Sequence, residues 1–154
     1  MLRKFMTIAV AILALAGAGL TAVAATNGTA DEAKAMVDRA VKMLAADGKD
    51  KAFQVFDDQS GPFVDRDLYV FVLDLTGTTV AHGVNKALIG KSLLNLKDAD
   101  GKQFIQEILD LAKKDGEGWV DYKWPNPTTK KVEGKSSYVK KVGDLIIGVG
   151  IYKG

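Results

Sequence analysis

A handful of side chains in this sequence have the types and spacing to do chemistry. His82 is the single histidine, set beside Gly83 at the end of a short β-prone stretch. An imidazole there suits hydrogen bonding to an anionic ligand. A metal role lacks support, because no second histidine and no cysteine exists to complete a zinc site. Lys135 opens a run that continues through Ser136, Ser137 and Tyr138. A lysine aimed into an apolar pocket is a natural partner for a carboxylate. Extended backbone sends alternate residues to opposite faces, so Lys135 and Ser137 share one face and Ser136 and Tyr138 the other. Lys135 and Tyr138 meet only if a bulge intervenes. Tyr69 with Phe71, and Tyr122 with Trp124, are same-face aromatic pairs that can wall a pocket, tyrosine adding a hydroxyl to orient the ligand.

Three acidic pairs, Asp57–Asp58, Asp65/Asp67 and Asp98/Asp100, raise acid–base catalysis or calcium binding. Asp98-x-Asp100-Gly101 lacks the remaining ligands of a calcium loop, and capping of the following helix accounts better for Asp98 or Asp100. Asp67 is expected to anchor the loop before the next strand. No Gly-x-Ser-x-Gly elbow, glycine-rich phosphate loop or metal-ligand spacing is present. No catalytic residue and no cofactor is therefore assigned, and the chain reads as a binding protein and not an enzyme.

These side chains need elements to hold them. Thr29 and Glu32 form a capping box, and Ala33, Met36, Val37, Ala40, Val41 and Leu44 follow at helical spacing. A helix is predicted from Thr29 to Ala46. The stretch from Lys49 to Asp67 has no clean period. Leu68–Leu73 is β-branched and aromatic throughout, the pattern of a central strand buried on both faces. Thr79–Gly83 is its hairpin partner. Asn85–Leu96 reads as a loop, followed by a second helix through Phe104, Ile105, Ile108, Leu109 and Leu111. Trp119–Trp124, Lys135–Val142 and Leu145–Tyr152 complete five strands, the last three joined by hairpins and hence antiparallel. The layout is α+β: a five-stranded antiparallel sheet with a long N-terminal helix on one face. The other face is left for a pocket, roofed by Asn85–Leu96 and the second helix.

Ahead of this domain stands a leader. Arg3 and Lys4 precede an apolar run from Phe5 to Leu20, and Ala22-Val23-Ala24 supplies small residues for signal peptidase. Residues 1–24 are expected to be a secretory signal, and residues 25–154 the domain. Removing 24 of the 154 residues, Arg3 and Lys4 among them, leaves 130 with 19 basic and 19 acidic side chains. That balance offers no basic patch for nucleic acid, and no membrane span remains once the leader is gone. The absence of cysteine excludes a disulfide scaffold, a cysteine nucleophile and thiol redox chemistry.

Gly61-Pro62-Phe63, Asp67-x-Tyr69-Val70-Phe71, Gly77 and His82-Gly83 resemble the core of single Cache domains. So do Gly90-Lys91, Asp98 with Gly101, Gly116-x-Gly118-Trp119-Val120-x-Tyr122-x-Trp124-Pro125, Lys135-x-x-Tyr138-Val139 and Gly148-Val149-Gly150-Ile151-Tyr152. The resemblance spans Asp31 to Tyr152. It implies a PAS-like sheet and an extracytoplasmic sensor that binds a small molecule, often a short organic acid, on one sheet face. Relatives of this kind sit in chemoreceptors and histidine kinases. The expectation is a stand-alone periplasmic or secreted bacterial protein that feeds a membrane receptor or histidine kinase. Its ligand-binding residues would be Tyr69, Phe71, His82, Asn85, Tyr122, Trp124, Lys135 and Tyr138. The alternative is an interaction module that binds no ligand and docks on a membrane receptor or on itself through the N-terminal helix.

Overall fold

A computed structural model describes residues 26–153, so the segment 1–24 expected to be a secretory leader lies outside the described residues. Helix α1 runs from Ala30 to Asp47. Its capping box forms as expected: the Thr29 hydroxyl accepts from the Glu32 N–H at 3.3 Å, and the Glu32 carboxylate accepts from the Thr29 N–H at 2.7 Å. The chain turns at Gly48, whose φ of +79° suits a residue without a Cβ. A second helix, α2, follows at once over Lys49–Phe56. The sequence shows no period there because an eight-residue helix that buries only Ala52 and Phe56 has too few apolar positions to display one.

The sheet is antiparallel at every pairing. Its strands are β1 (Val64–Asp65), β2 (Leu68–Asp74), β3 (Thr79–His82), β4 (Glu117–Pro125), β5 (Val132–Val142) and β6 (Leu145–Tyr152). Across the sheet the order is β1-β2-β6-β5-β4, and β3 also pairs with β2. The five expected strands are present, and the two-residue β1 adds a sixth. β2 is buried from Leu68 to Leu73, as its unbroken apolar run predicts.

The two sheet faces carry separate cores. On one, α1 and α2 pack Ala33, Val37, Ala40 and Phe56 against Val70, Val72, Ile147 and Val149. On the other, helix α3 (Phe104–Asp115) packs Ile105, Ile108 and Leu109 with Leu73, Val139 and Ile146. Alternate residues of β2 and β6 thus feed alternate cores. Neither Asp98 nor Asp100 caps α3. Gln103 precedes that helix without a side-chain cap. The Asp98 carboxylate instead accepts the N–H groups of Asp100 and Lys102 and, at 2.8 Å, that of Lys123, tying its loop to β4.

Candidate functional site

Between the α3 face of the sheet and its roof lies a narrow cavity of about 20 Å³. That is about the room needed by one or two waters. β2 supplies Tyr69, Phe71 and Leu73, β3 supplies Thr79 and His82, β4 supplies Tyr122 and Trp124, and β5 supplies Lys135. Leu88 and Leu93, from the expected loop, roof it together with Phe104, Ile105 and Ile108. Beside it, sharing Tyr69, His82 and Trp124, is a wider cleft of about 430 Å³ that also takes in Asn85 and Asn126.

Lys135 is the chemical centre of this arrangement. It is 1 % exposed. Its ammonium donates to the Tyr69 hydroxyl at 2.7 Å. Four aromatic rings surround it, with centroids at 4.1 Å (Tyr69), 5.3 Å (Tyr152), 5.4 Å (Phe71) and 5.8 Å (Tyr122). Ring faces attract a cation, but they do not replace its hydration. Burial therefore pushes the Lys135 pKa down from 10.5 to about 7, and the carboxylate of Asp67 only partly offsets the shift. Among the described residues no acidic side chain forms an ion pair with it.

The lysine stem reaches this position by crossing β6. Lys135 pairs with Tyr152, and Ser137 pairs with Gly150. A Cβ on Gly150 would overlap the Lys135 stem and the Ser137 hydroxyl, and one on Gly148 would overlap the Phe71 ring. Gly148 and Gly150 alternate with Ile147, Val149 and Ile151 along β6, so between Ile146 and Tyr152 one face of that strand is bare backbone, while the other packs under α1.

His82 is 5 % exposed, and its ring lies 5.1 Å from that of Tyr69. Its Nδ1 accepts from the Asn85 N–H at 3.1 Å and the Val84 N–H at 3.3 Å. That arrangement leaves the proton on Nε2. Burial, followed by repulsion from Lys135, lowers its pKa to about 3, so the imidazole is neutral across the physiological range. The Asp57 carboxylate holds the His82 backbone N–H at 2.7 Å. Tyr122 stacks on Phe104 at 4.3 Å, and its hydroxyl meets Ser137 Oγ at 2.9 Å. The site thus sets one cation, one neutral imidazole N–H and two tyrosine hydroxyls in an apolar enclosure. Such a set can receive one small anion.

A profile of the family described as single Cache domain 2 matches residues 11–154. The chain belongs to this family. The methyl-accepting chemotaxis protein McpP of Pseudomonas putida is 33% identical over 90 residues, covering 57% of this chain and 16% of that protein. A methyl-accepting chemotaxis protein of Vibrio parahaemolyticus superposes with a TM-score of 0.69 at 27% identity, covering 79% of this chain and 86% of that one. A Cache chemosensory domain described for its recognition of carboxylic acids superposes at 0.63 with 25% identity, covering 80% and 88%. The chain spans less than a fifth of the curated relative's length.

Within this single Cache domain, six of the eight residues expected at the site line one cavity: Tyr69, Phe71, His82, Tyr122, Trp124 and Lys135. Asn85 does not reach it. Its side chain accepts from the Ala87 N–H and caps the short 3-10 turn Lys86–Leu88, while its own N–H orients His82. Tyr138 lies on the opposite face, 5.4 Å from Trp119 and within the α1 core. β5 runs in unbroken register with both neighbours, so no bulge brings Tyr138 round to Lys135. Two contributors lie outside the expected set. Tyr152 reaches the cage through a register that the sequence does not encode locally. The alternating glycines of β6 were a visible sign of a bare strand face. Asp67, expected to anchor the loop before β2, is fully buried and accepts the Gly28 N–H at 2.6 Å, which ties that loop to the approach to α1.

Proposed function

We propose that this protein is an extracytoplasmic small-molecule sensor domain and that its ligand is a short carboxylate held against Lys135. The observation that carries this reading is a buried ammonium, lining a narrow cavity, with no acidic side chain paired to it. Buried charges are ordinarily paired or neutralised, and an incoming carboxylate would supply the missing partner. The Nε2–H of His82 is a second donor for the same carboxylate, and Tyr69, Phe71 and Tyr122 enclose its carbon chain. The narrowness of the cavity favours an acid of few carbons. The structural neighbour described for carboxylic acid recognition supports the same ligand class.

In this reading residues 1–24 direct export, residues 25–154 form the sensor in the periplasm, and binding is reported to a membrane receptor or histidine kinase and not followed by turnover. None of the described helices is long and apolar enough to cross a membrane. A thermal-shift screen tests the reading. A ligand at 100 times its Kd stabilises a fold by about 2.7 kcal/mol. Acids of two or three carbons should raise the Tm, and amines of equal size should not. A flat response to every acid, or an equal response to the amines, overturns the proposal.

A further inference from the structure

Thr79 sits in the cavity wall for a reason that strand periodicity alone does not give. β3 pairs His82 with Phe71 and Ala81 with Val72, but then Thr79, not Val80, with Leu73. Val80 is an extra residue, a bulge in an otherwise regular hairpin. Without it Thr79 and His82, three positions apart, would face opposite sides of the sheet. With it, both face the cavity, while Ala81 packs under α1.

The Thr79 backbone is fully used: its N–H donates to Lys91 at 3.0 Å and its carbonyl accepts from Gly90 at 2.8 Å. Its hydroxyl is not. The side chain is 1 % exposed, and Oγ1 has no hydrogen-bond partner. Buried hydroxyls are nearly always satisfied, so an orphan one on a residue that lines a cavity points to a polar partner entering from that cavity. Lys135 and Thr79 mark opposite ends of that cavity. Lys135 reaches Tyr69 at the start of β2, and Thr79 is paired with Leu73 near its other end. Leu73, Ile105 and Ile108 make the wall around Thr79 apolar, leaving its hydroxyl as the polar group there.

We infer that Thr79 is a specificity-determining residue whose hydroxyl reads the end of the ligand opposite its carboxylate, selecting short hydroxy- or oxo-carboxylates over plain fatty acids of equal length. The inference rests on the carboxylate reading above. Binding to matched acids tests it: glycolate against acetate, and 3-hydroxypropionate against propionate, each pair differing by one oxygen at the end away from the carboxylate. Wild-type protein, Thr79→Val and Thr79→Ser are titrated by calorimetry. Valine matches threonine in shape and removes the orphan hydroxyl, so the variant should melt at or above the wild-type temperature. The expected result is a loss of ~10-fold in affinity for the oxygenated member of at least one pair, from one buried hydrogen bond, with the plain acid unchanged and the serine variant close to wild type. Equal losses for both members, or no change in either, remove Thr79 from ligand selection while leaving the carboxylate reading standing. Failure of wild-type protein to bind any of these acids overturns both.

Discussion

Replacing Lys135 with methionine separates what the fold needs from what the ligand needs. Holding the Lys135 pKa near 7 instead of 10.5 means that the charged ammonium is disfavoured in the cage by about 5 kcal/mol, at 1.36 kcal/mol per pKa unit. Methionine keeps most of the stem that crosses Gly150 and sheds the charge. Tyr69 loses a donor but keeps the Tyr152 hydroxyl at 3.3 Å. Replacing a buried charge with an apolar isostere is often neutral or stabilising by about 1–4 kcal/mol. Lys135→Met should therefore raise the stability of the unliganded protein, with each kcal/mol moving Tm by about 4 °C in a domain of this size. It should also abolish carboxylate binding, a loss of at least ~10-fold from a charge-assisted hydrogen bond of about 1.5–3 kcal/mol. Urea unfolding at pH 7 and calorimetric titration read the two effects. A variant that is destabilised by 2 kcal/mol or more, or that still binds the acid, would refute the reasoning, since Lys135 would then serve the fold.

Three further outcomes follow from the same geometry. In the unfolded chain Lys135 holds its proton to about 10.5, but in the fold it releases it near 7, so between these values the unfolded state binds more protons and stability rises with pH. Urea titrations of wild-type protein at pH 7.5 and 9.5 should differ by about 2 kcal/mol, and the Lys135→Met variant should show no such slope. Gly150→Ala should remain folded but bind carboxylate at least ~10-fold more weakly, because the added methyl meets the Lys135 stem; unchanged affinity would show that the stem has another route. Asp67→Ala should speed hydrogen exchange at Gly28, whose N–H loses its acceptor, and should lower the Lys135 pKa further by removing an attractive charge. Amide exchange and the pH profile of stability check the two halves of that prediction.

The residues disclose some of this and not the rest, for physical reasons. The capping box at Thr29 and Glu32, the two-sided burial of Leu68–Leu73 and the order of elements are local signals, and all of them appear in the fold. So does the use of the second sheet face for a cavity beneath the Asn85–Leu96 segment. α2 escaped because a short helix with two buried residues leaves no period. Asp98 was misjudged because a side chain that caps a helix and one that closes an Asx turn look alike in sequence. At the site, same-strand pairs such as Tyr69 and Phe71 were readable from alternation. Cross-strand neighbours such as Tyr152 depend on register, and Thr79 depends on a bulge at Val80; neither is set by nearby residues. Tyr138 shows the converse: alternation placed it opposite Lys135, and the unbroken register of β5 keeps it there.

Proton uptake on binding tests the central claim most directly. With its pKa at about 7, Lys135 is about half protonated in the free protein at pH 7, and a bound carboxylate favours the charged form. Calorimetric titration of the tightest-binding acid at pH 7, in non-carboxylate buffers of different ionisation enthalpy, should report uptake of about half a proton per ligand, falling toward zero at pH 5. Binding with no proton uptake at pH 7, or uptake that persists in Lys135→Met, would contradict an anion seated on Lys135.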